Sequence, residues 1–174
     1  MTIGGISMPL WWLFALIRKS EGKDFNQVAE MYFSKSANRF LYYDPINIDD
    51  FKKTWKKMLR RKYSFVCVRK GEVVGFITCI RKIGQEKHIA YIGPVVVKPG
   101  KRGEGIGKEM MNFLLQKLKY CSRFKRIELI VNSDNSRAIE FFRKCNFEIE
   151  AVLKKHTERN GEYFDDFLMV KFFQ

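Results

Sequence analysis

The stretch VVVKPGKRGEGIGKEMM, residues 95–111, constrains this chain more than any other. Three valines make the β-branched, apolar end of a strand. Pro99 and Gly100 break it, and Gly103, Gly105 and Gly107 lead into an apolar-periodic segment that reads as a helix over residues 105–119. A strand that feeds a helix through such a loop calls for a sheet with helices laid on it. Glycine at a helix start is destabilising unless something is gained. The gain expected here is a ligand. Unpaired N–H groups at a helix N-terminus attract anions, and glycines admit a phosphate close to that backbone. Lys101, Arg102 and Lys108 add full positive charges.

Two common phosphate loops do not fit. The spacing is G-x-G-x-G rather than G-x-G-x-x-G, and no clear β-α-β dinucleotide unit follows, which speaks against a Rossmann site. A P-loop needs Ser or Thr after Gly-Lys. Here Glu109 follows Gly107-Lys108, and Arg102 stands where the first glycine should be.

The 174 residues suit one domain, 1–174, with residues 1–9 a loose N-terminal extension. MPLWWLFALI, residues 8–17, is too short to span a bilayer and lacks the flanks of a signal peptide. It leads into a first strand over residues 13–18. DFNQVAEMYF reads as a helix with Asp24 as N-cap. A second helix is expected over residues 48–61, with Asp49 or Asp50 as N-cap and a buried face of Phe51, Trp55, Met58 and Leu59. The period then changes to that of strands: YSFVCVRK and EVVGFITCIRK around a Lys70-Gly71 turn, KHIAYIGPVVV with a break at Gly93-Pro94, and RIELIV. After the helix NSDNSRAIEFFRKCN, two more strands flank Asn160-Gly161. The order β-α-α-β-β-β-α-β-α-β-β predicts an α/β (α+β) protein with a mixed, mostly antiparallel sheet and helices on both faces. At Gly93-Pro94 a bulge or a local parting of strands is expected, because proline cannot donate to a ladder.

The formal charge of +14 attracts anions without choosing among nucleic acid, acidic membrane and phosphorylated small molecules. A lysine-rich solvated surface is its simplest source. The four cysteines are widely spaced, no C-x-x-C occurs and there are two histidines, so no metal site is expected. Reduced thiols fit a cytoplasmic protein.

Residues 95–111 resemble the acetyl-CoA loop of the GNAT-type N-acetyltransferases, a strand ending V-x-P followed by [QR]-x-x-G-x-[GA]; Arg102, Gly105 and Gly107 match it. VNSDNSRAIEFFRKCNFE resembles that family's N-x-x-A-x-x-x-[YF]-x-x-x-G-F segment, with Asn135, Ala138, Phe142 and Phe147 in register. By element order the resemblance covers about residues 14–172. It implies the GNAT acyl-CoA N-acyltransferase fold, acetyl-CoA as co-substrate, and direct acetyl transfer to a primary amine: a protein N-terminus or lysine, a polyamine or another small amine. The backbone of Val95, Val96 and Val97 would bind the pantetheine arm, with N–H groups near Val96 and Val97 facing the oxyanion. Arg102, Gly103, Glu104, Gly105, Ile106, Gly107 and Lys108 would hold the pyrophosphate. Asn135 would hydrogen-bond the cofactor arm, a role it can combine with capping its helix.

The chain departs from the family at the acid. Phe142 stands in the usual tyrosine position and Asn146 in the glycine position. Three explanations remain open: the CoA thiolate leaves unaided, Tyr163 serves as general acid, or the chain is an acyl-CoA binder or sensor without efficient catalysis. Cys145 reads as a small buried residue. Glu72, Glu86, His88 and Glu128 are weak candidates for a base, and a water chain or a backbone carbonyl would suffice. An acidic, aromatic mouth of Tyr42, Tyr43, Asp44, Asp49, Asp50, Glu162, Tyr163, Asp165 and Asp166 would suit a cationic amine. A different class, a nucleic-acid- or ribosome-associated basic protein, rests on charge alone. No groove-reading motif supports it, so no specific nucleic acid and no membrane partner is expected; a homodimer is allowed.

Overall fold

The computed structural model describes residues 2, 3, 6, 7, 16–34, 37, 40, 41 and 47–173. Strands β1 (Thr2–Ile3) and β2 (Ile6–Ser7) form a short antiparallel pair. The main sheet holds β3 (Leu16–Lys19), β4 (Tyr63–Arg69), β5 (Glu72–Arg81), β6 (Ile89–Val97), β7 (Arg126–Asn132), β8 (Glu148–Arg159) and β9 (Glu162–Phe172). Their order is β3-β4-β5-β6-β7-β9-β8. Every neighbouring pair is antiparallel except β6 and β7. The helices are α1 (Phe25–Phe33), α2 (Ile48–Leu59), α3 (Ile106–Tyr120) and α4 (Ser136–Lys144).

Period-two alternation gives the sheet two apolar faces, and each takes a helix pair. On one, Val28 and Met31 of α1 and Phe51, Trp55 and Met58 of α2 pack on Val66, Val73, Phe76 and Val96. On the other, Met110, Met111 and Leu114 of α3 and Ile139 and Phe142 of α4 pack on Cys67, Ile77, Ile92 and Leu129. Each such fully buried side chain contributes about 1.5–3 kcal/mol. The expected mixed sheet with helices on both faces is therefore present. Both hairpin turns are as expected: Lys70-Gly71 (φ 50° and 78°) and Asn160-Gly161 (φ 52° and 81°) are left-handed at both residues, which matches the strand twist. Among the described residues no helix is long and apolar enough to cross a membrane.

Two local expectations need correction. Of the first strand, expected over residues 13–18, the structure describes Leu16–Lys19, and residues 13–15 lie outside the described residues. Helix α2 ends at Leu59 and is capped by Asn47, whose side chain accepts from the N–H groups of Asp49 (3.1 Å) and Asp50 (3.0 Å). Asp49 and Asp50 instead occupy the first turn, where they favour the helix dipole. Asp24 precedes α1 but makes no side-chain cap bond to it. Its carboxylate receives both arms of Arg18, at 2.8 and 2.6 Å, and the N–H of Glu21 at 2.8 Å, which ties β3 to the start of α1.

Burial alone would raise the Asp24 carboxyl, but the bonds from Arg18 and Glu21 and the charges of Arg18 and Lys23 outweigh it and hold it below its ordinary value of 3.8. A depressed carboxyl stabilises the fold above the unfolded value, and the contribution is lost as pH falls through the folded value. Asp24→Asn is expected to cost roughly 1.5–3 kcal/mol at pH 7. Urea denaturation should show the gap between variant and wild type closing below about pH 4.

Candidate active site

The site begins as a defect in the sheet. Strands β6 and β7 pair at Ile89↔Arg126, Ala90↔Ile127 and Tyr91↔Glu128, and their ladder goes no further. Beyond that point β6 continues against β5 as far as Val97↔Gly75, and β7 continues against β9 as far as Asn132↔Asp166. The cause is local. Gly93 and Pro94 together face Thr78 in a bulge of the β5–β6 ladder, and Pro94 has no N–H to donate. A Cβ on Gly93 would lie 2.9 Å from the Thr78 methyl, so only glycine fits. Residues 92–97 and 129–132 therefore face each other across an open split within the sheet.

Register decides which backbone groups enter the split. The Lys98 N–H donates to the Val74 carbonyl at 2.9 Å, which makes Val97↔Gly75 a non-hydrogen-bonded pair. The N–H and C=O of Val96 then belong to the β5 ladder, and those of Val95 and Val97 point across the split. The Val97 carbonyl already accepts from Arg102 Nε at 3.3 Å. Val96 itself is buried against α1 and α2.

At the far end of β6 the loop turns through left-handed Gly103 (φ 91°) and Gly105 (φ 81°). Gly105 is the N-cap of α3 and supplies no side-chain cap. The first bond within the helix runs from the Glu109 N–H to the Gly105 carbonyl. The N–H groups of Ile106, Gly107 and Lys108 are left without intrahelical partners. A Cβ on Gly107 would stand 3.4 Å from the Phe141 ring, so α3 begins pressed against α4. Glu104 is drawn outward by Arg69 (3.3 Å) and Lys101 (3.5 Å). Arg102 lacks a carboxylate partner among the described residues. Burial, and then the charge of Arg137 on α4, depress its guanidinium below the ordinary value. Two nearby guanidinium groups with no carboxylate partner among the described residues, beside uncapped N–H groups, are chemically suited to a multiply charged anion. Arg137 was not foreseen. Its signal was a cation at a helix N-terminus, where the dipole disfavours it.

Asn135 caps α4: its Oδ1 accepts from the Ala138 N–H at 3.2 Å, which leaves Nδ2 for a second bond. Phe142 is buried, with its ring centroid 5.2 Å from that of Phe141 and 6.1 Å from that of Phe147. Asn146 takes the left-handed conformation (φ 62°) that its glycine-like position requires. Cys145 packs in the core, and burial pushes its thiol up. Tyr163 is 61% exposed and pairs with Glu158 near the hairpin tip. It lies three residues past Asp166, about 10 Å along the strand from the end of β7.

The acids considered as bases are engaged elsewhere. Glu72 holds Lys98 at 2.5 Å; Glu86 and Glu128 hold Lys82 at 3.3 and 2.9 Å. Glu128 also binds Arg126. His88, with Nδ1 3.2 Å from the Gln85 carbonyl, precedes β6 at the end remote from the loop. Of the expected mouth, Tyr42, Tyr43 and Asp44 lie outside the described residues. Asp49 and Asp50 pair with Lys52 and Lys53, and Asp165 binds Lys154 and the Lys155 N–H. Asp166 is fully buried and lies within hydrogen-bond distance of Asn132 Nδ2 (2.6 Å), Thr157 Oγ1 (2.7 Å) and His156 Nδ1 (2.7 Å). On the same hairpin the Arg159 guanidinium stacks 3.8 Å from the Phe164 ring and donates to Asp134 at 2.9 Å. Its Nε is buried without a hydrogen-bond partner among the described residues. Neither His156 nor Arg159 was singled out from sequence.

Comparison with known proteins gives one family. The Acetyltransferase (GNAT) family matches residues 25–147. The chain is 28% identical over 161 residues to L-amino acid N-acetyltransferase AaaT of Escherichia coli (strain K12), which spans 90% of this chain and 96% of that protein. The ribosomal-protein-alanine N-acetyltransferase from Brucella melitensis superposes with a TM-score of 0.78 at 21% identity, over 91% of this chain and 99% of that one. The protein yncA from Salmonella typhimurium, solved with its cofactor acetyl-CoA, superposes with a TM-score of 0.76 at 16% identity, over 91% and 94%.

If Arg102 and Arg137 share one anion, replacing either by Ala should weaken acetyl-CoA binding about tenfold or more, as loss of a charge-assisted bond implies. Isothermal titration at two salt concentrations checks this. The wild type should lose more affinity to salt than either variant.

Proposed function

The chain belongs to the acetyltransferase (GNAT) family and is an acetyl-CoA-dependent N-acetyltransferase, and from that premise we propose that its acceptor is the α-amino group of a free amino acid. The pyrophosphate of acetyl-CoA rests on the N–H groups at the start of α3, between Arg102 and Arg137. The pantetheine arm runs along the split as an added strand, bonded to the backbone of Val95 and Val97, with Asn135 Nδ2 as a further donor. The thioester carbonyl comes to the inner end of the split, where an outward N–H of β6 faces the developing oxyanion. The observation that carries this reading is the β6–β7 ladder. It stops at Tyr91↔Glu128, while an uncapped helix N-terminus stands at the other end of the same strand.

No phenol is needed for the leaving group. A thiol is acidic enough to depart as thiolate, Phe142 is a core residue, and Tyr163 stands along the hairpin from the split. Tyr163→Phe should therefore keep turnover close to wild type, within about twofold, which is a negligible loss of transition-state stabilisation.

The acceptor class rests on one similarity. AaaT is named an L-amino acid N-acetyltransferase, and its similarity runs over nine-tenths of both chains. A free amino acid carries a carboxylate beside its amine, and a protein N-terminus does not. Steady-state CoA release with amino acids, amino-acid amides, peptides and polyamines tests the reading. Free amino acids should exceed their amides in kcat/KM by about tenfold or more, the value of one charge-assisted contact. Preference for amides, peptides or polyamines would overturn it.

A further inference from the structure

We infer that Arg61 receives the carboxylate of the amino-acid acceptor at the inner end of the split. The inference rests on the reading above, in which the thioester lies in the β6–β7 split and the acceptor is a free amino acid.

Covalent geometry sets where such a group must stand. In an α-amino acid the carboxylate carbon is two bonds from the amine nitrogen, about 2.5 Å away. The attacking nitrogen approaches the thioester carbon to about 3–3.5 Å. The carboxylate carbon therefore lies about 6 Å or less from the reacting carbon, and whatever binds it must border the inner end of the split. The β6–β7 ladder ends at Tyr91↔Glu128, so Gly93 stands just inside the split on β6.

Arg61 reaches that residue from the end of α2. Its N–H bonds to the Met58 carbonyl at 3.0 Å, which turns the chain off the helix and toward β4. A Cβ on Gly93 would lie 4.0 Å from an Arg61 guanidinium nitrogen and 2.9 Å from the Thr78 methyl. Glycine at this position thus leaves open the space between Thr78 and the guanidinium. Ile77 and Cys79 pack into the α3–α4 core, so Thr78 between them turns to the face that carries α1 and α2. Helix α3, whose N-terminus takes the pyrophosphate, lies on the other face. Cofactor and acceptor then come to the split from opposite sides of the sheet.

Charge and an unpaired hydroxyl mark the spot. Of the partly buried arginines, Arg18, Arg69, Arg126 and Arg159 each hold a carboxylate. Arg61 and Arg102 hold none among the described residues, and Arg102 belongs to the anion site at the start of α3. The hollow beside Arg61 adds Lys62, Arg81 and Arg123 to its lining and no acid. Such a setting draws a carboxylate and repels a polyamine. Thr78 is fully buried, and its Oγ1 has no hydrogen-bond partner. Buried hydroxyls are nearly always paired, and an exception marks a place that an added partner completes. A guanidinium offers a carboxylate two parallel N–H···O bonds, which a neutral amide cannot accept in the same way.

The test measures kcat/KM of wild type, Arg61→Met and Arg61→Lys with free amino acids and with their amides. Arg61→Met should cut kcat/KM for free amino acids about tenfold or more, the loss of one charge-assisted contact. The loss should appear in KM for the acceptor, with KM for acetyl-CoA unchanged. Turnover of amides should stay within about twofold of wild type, which also reports a folded enzyme. Arg61→Lys keeps the charge without the fork and should recover part of the preference. A wild type that favours amides, peptides or polyamines overturns the acceptor reading and this inference with it. A wild type that favours free amino acids, with the same preference kept in Arg61→Met, overturns this inference alone. Equal loss on acids and amides in both variants overturns it as well.

Discussion

The open ladder between β6 and β7 is the constraint on which the rest of this structure depends. Unpaired backbone groups in the middle of a sheet are costly when buried, and here Gly93-Pro94 makes them unavoidable. The sheet survives because each of the two strands keeps its outer neighbour: β6 stays on β5 to Val97, and β7 stays on β9 to Asn132. Helix pairs pack on both faces of the sheet. A ligand that brings its own amide groups, as a pantetheine arm does, replaces the missing ladder partner.

Charge is arranged around the same opening. The formal excess of +14 suggests a uniformly basic surface, but many cations are matched locally, as Lys98 is by Glu72 and Arg126 by Glu128 and Glu150. Exposed pairs of this kind add little stability. They matter here because they leave Arg102, with Arg137 near it, without a carboxylate partner among the described residues, next to the uncapped N–H groups of α3.

Phe142 takes the place of a hydroxyl and joins the core, and Asn146 keeps the backbone turn that glycine would make. Farther along the sheet, Asp166, Thr157 and His156 of the β8–β9 hairpin and Asn132 of β7 form one network. Such a network is rigid because its carboxylate is buried and its bonds reinforce one another.

By itself the sequence determined whatever follows from a few consecutive residues. The glycine loop, the start of α3, the two left-handed hairpin turns, the interruption at Gly93-Pro94 and the cap at Asn135 were all legible, because φ limits, missing N–H donors and helix spacing act within one turn of chain. The element order was enough to predict the sheet and its two helical faces. Even at this range, competition between close neighbours was not resolved, as the cap on α2 shows: Asn47 holds it, not Asp49 or Asp50. Only the tertiary structure decided the rest. Register, not residue type, turned Val96 into the β5 ladder and left Val95 and Val97 facing outward. Of the acids that composition had offered as an open mouth, Asp49 and Asp50 are taken by lysines one turn along their own helix, and Asp165 and Asp166 by partners across the β8–β9 hairpin. A three-residue bulge joined His156 to Asp166, and the approach of α4 to the loop set Arg137 near Arg102. Strand register and helix packing govern the hairpin and loop contacts, and no local pattern of side chains encodes them.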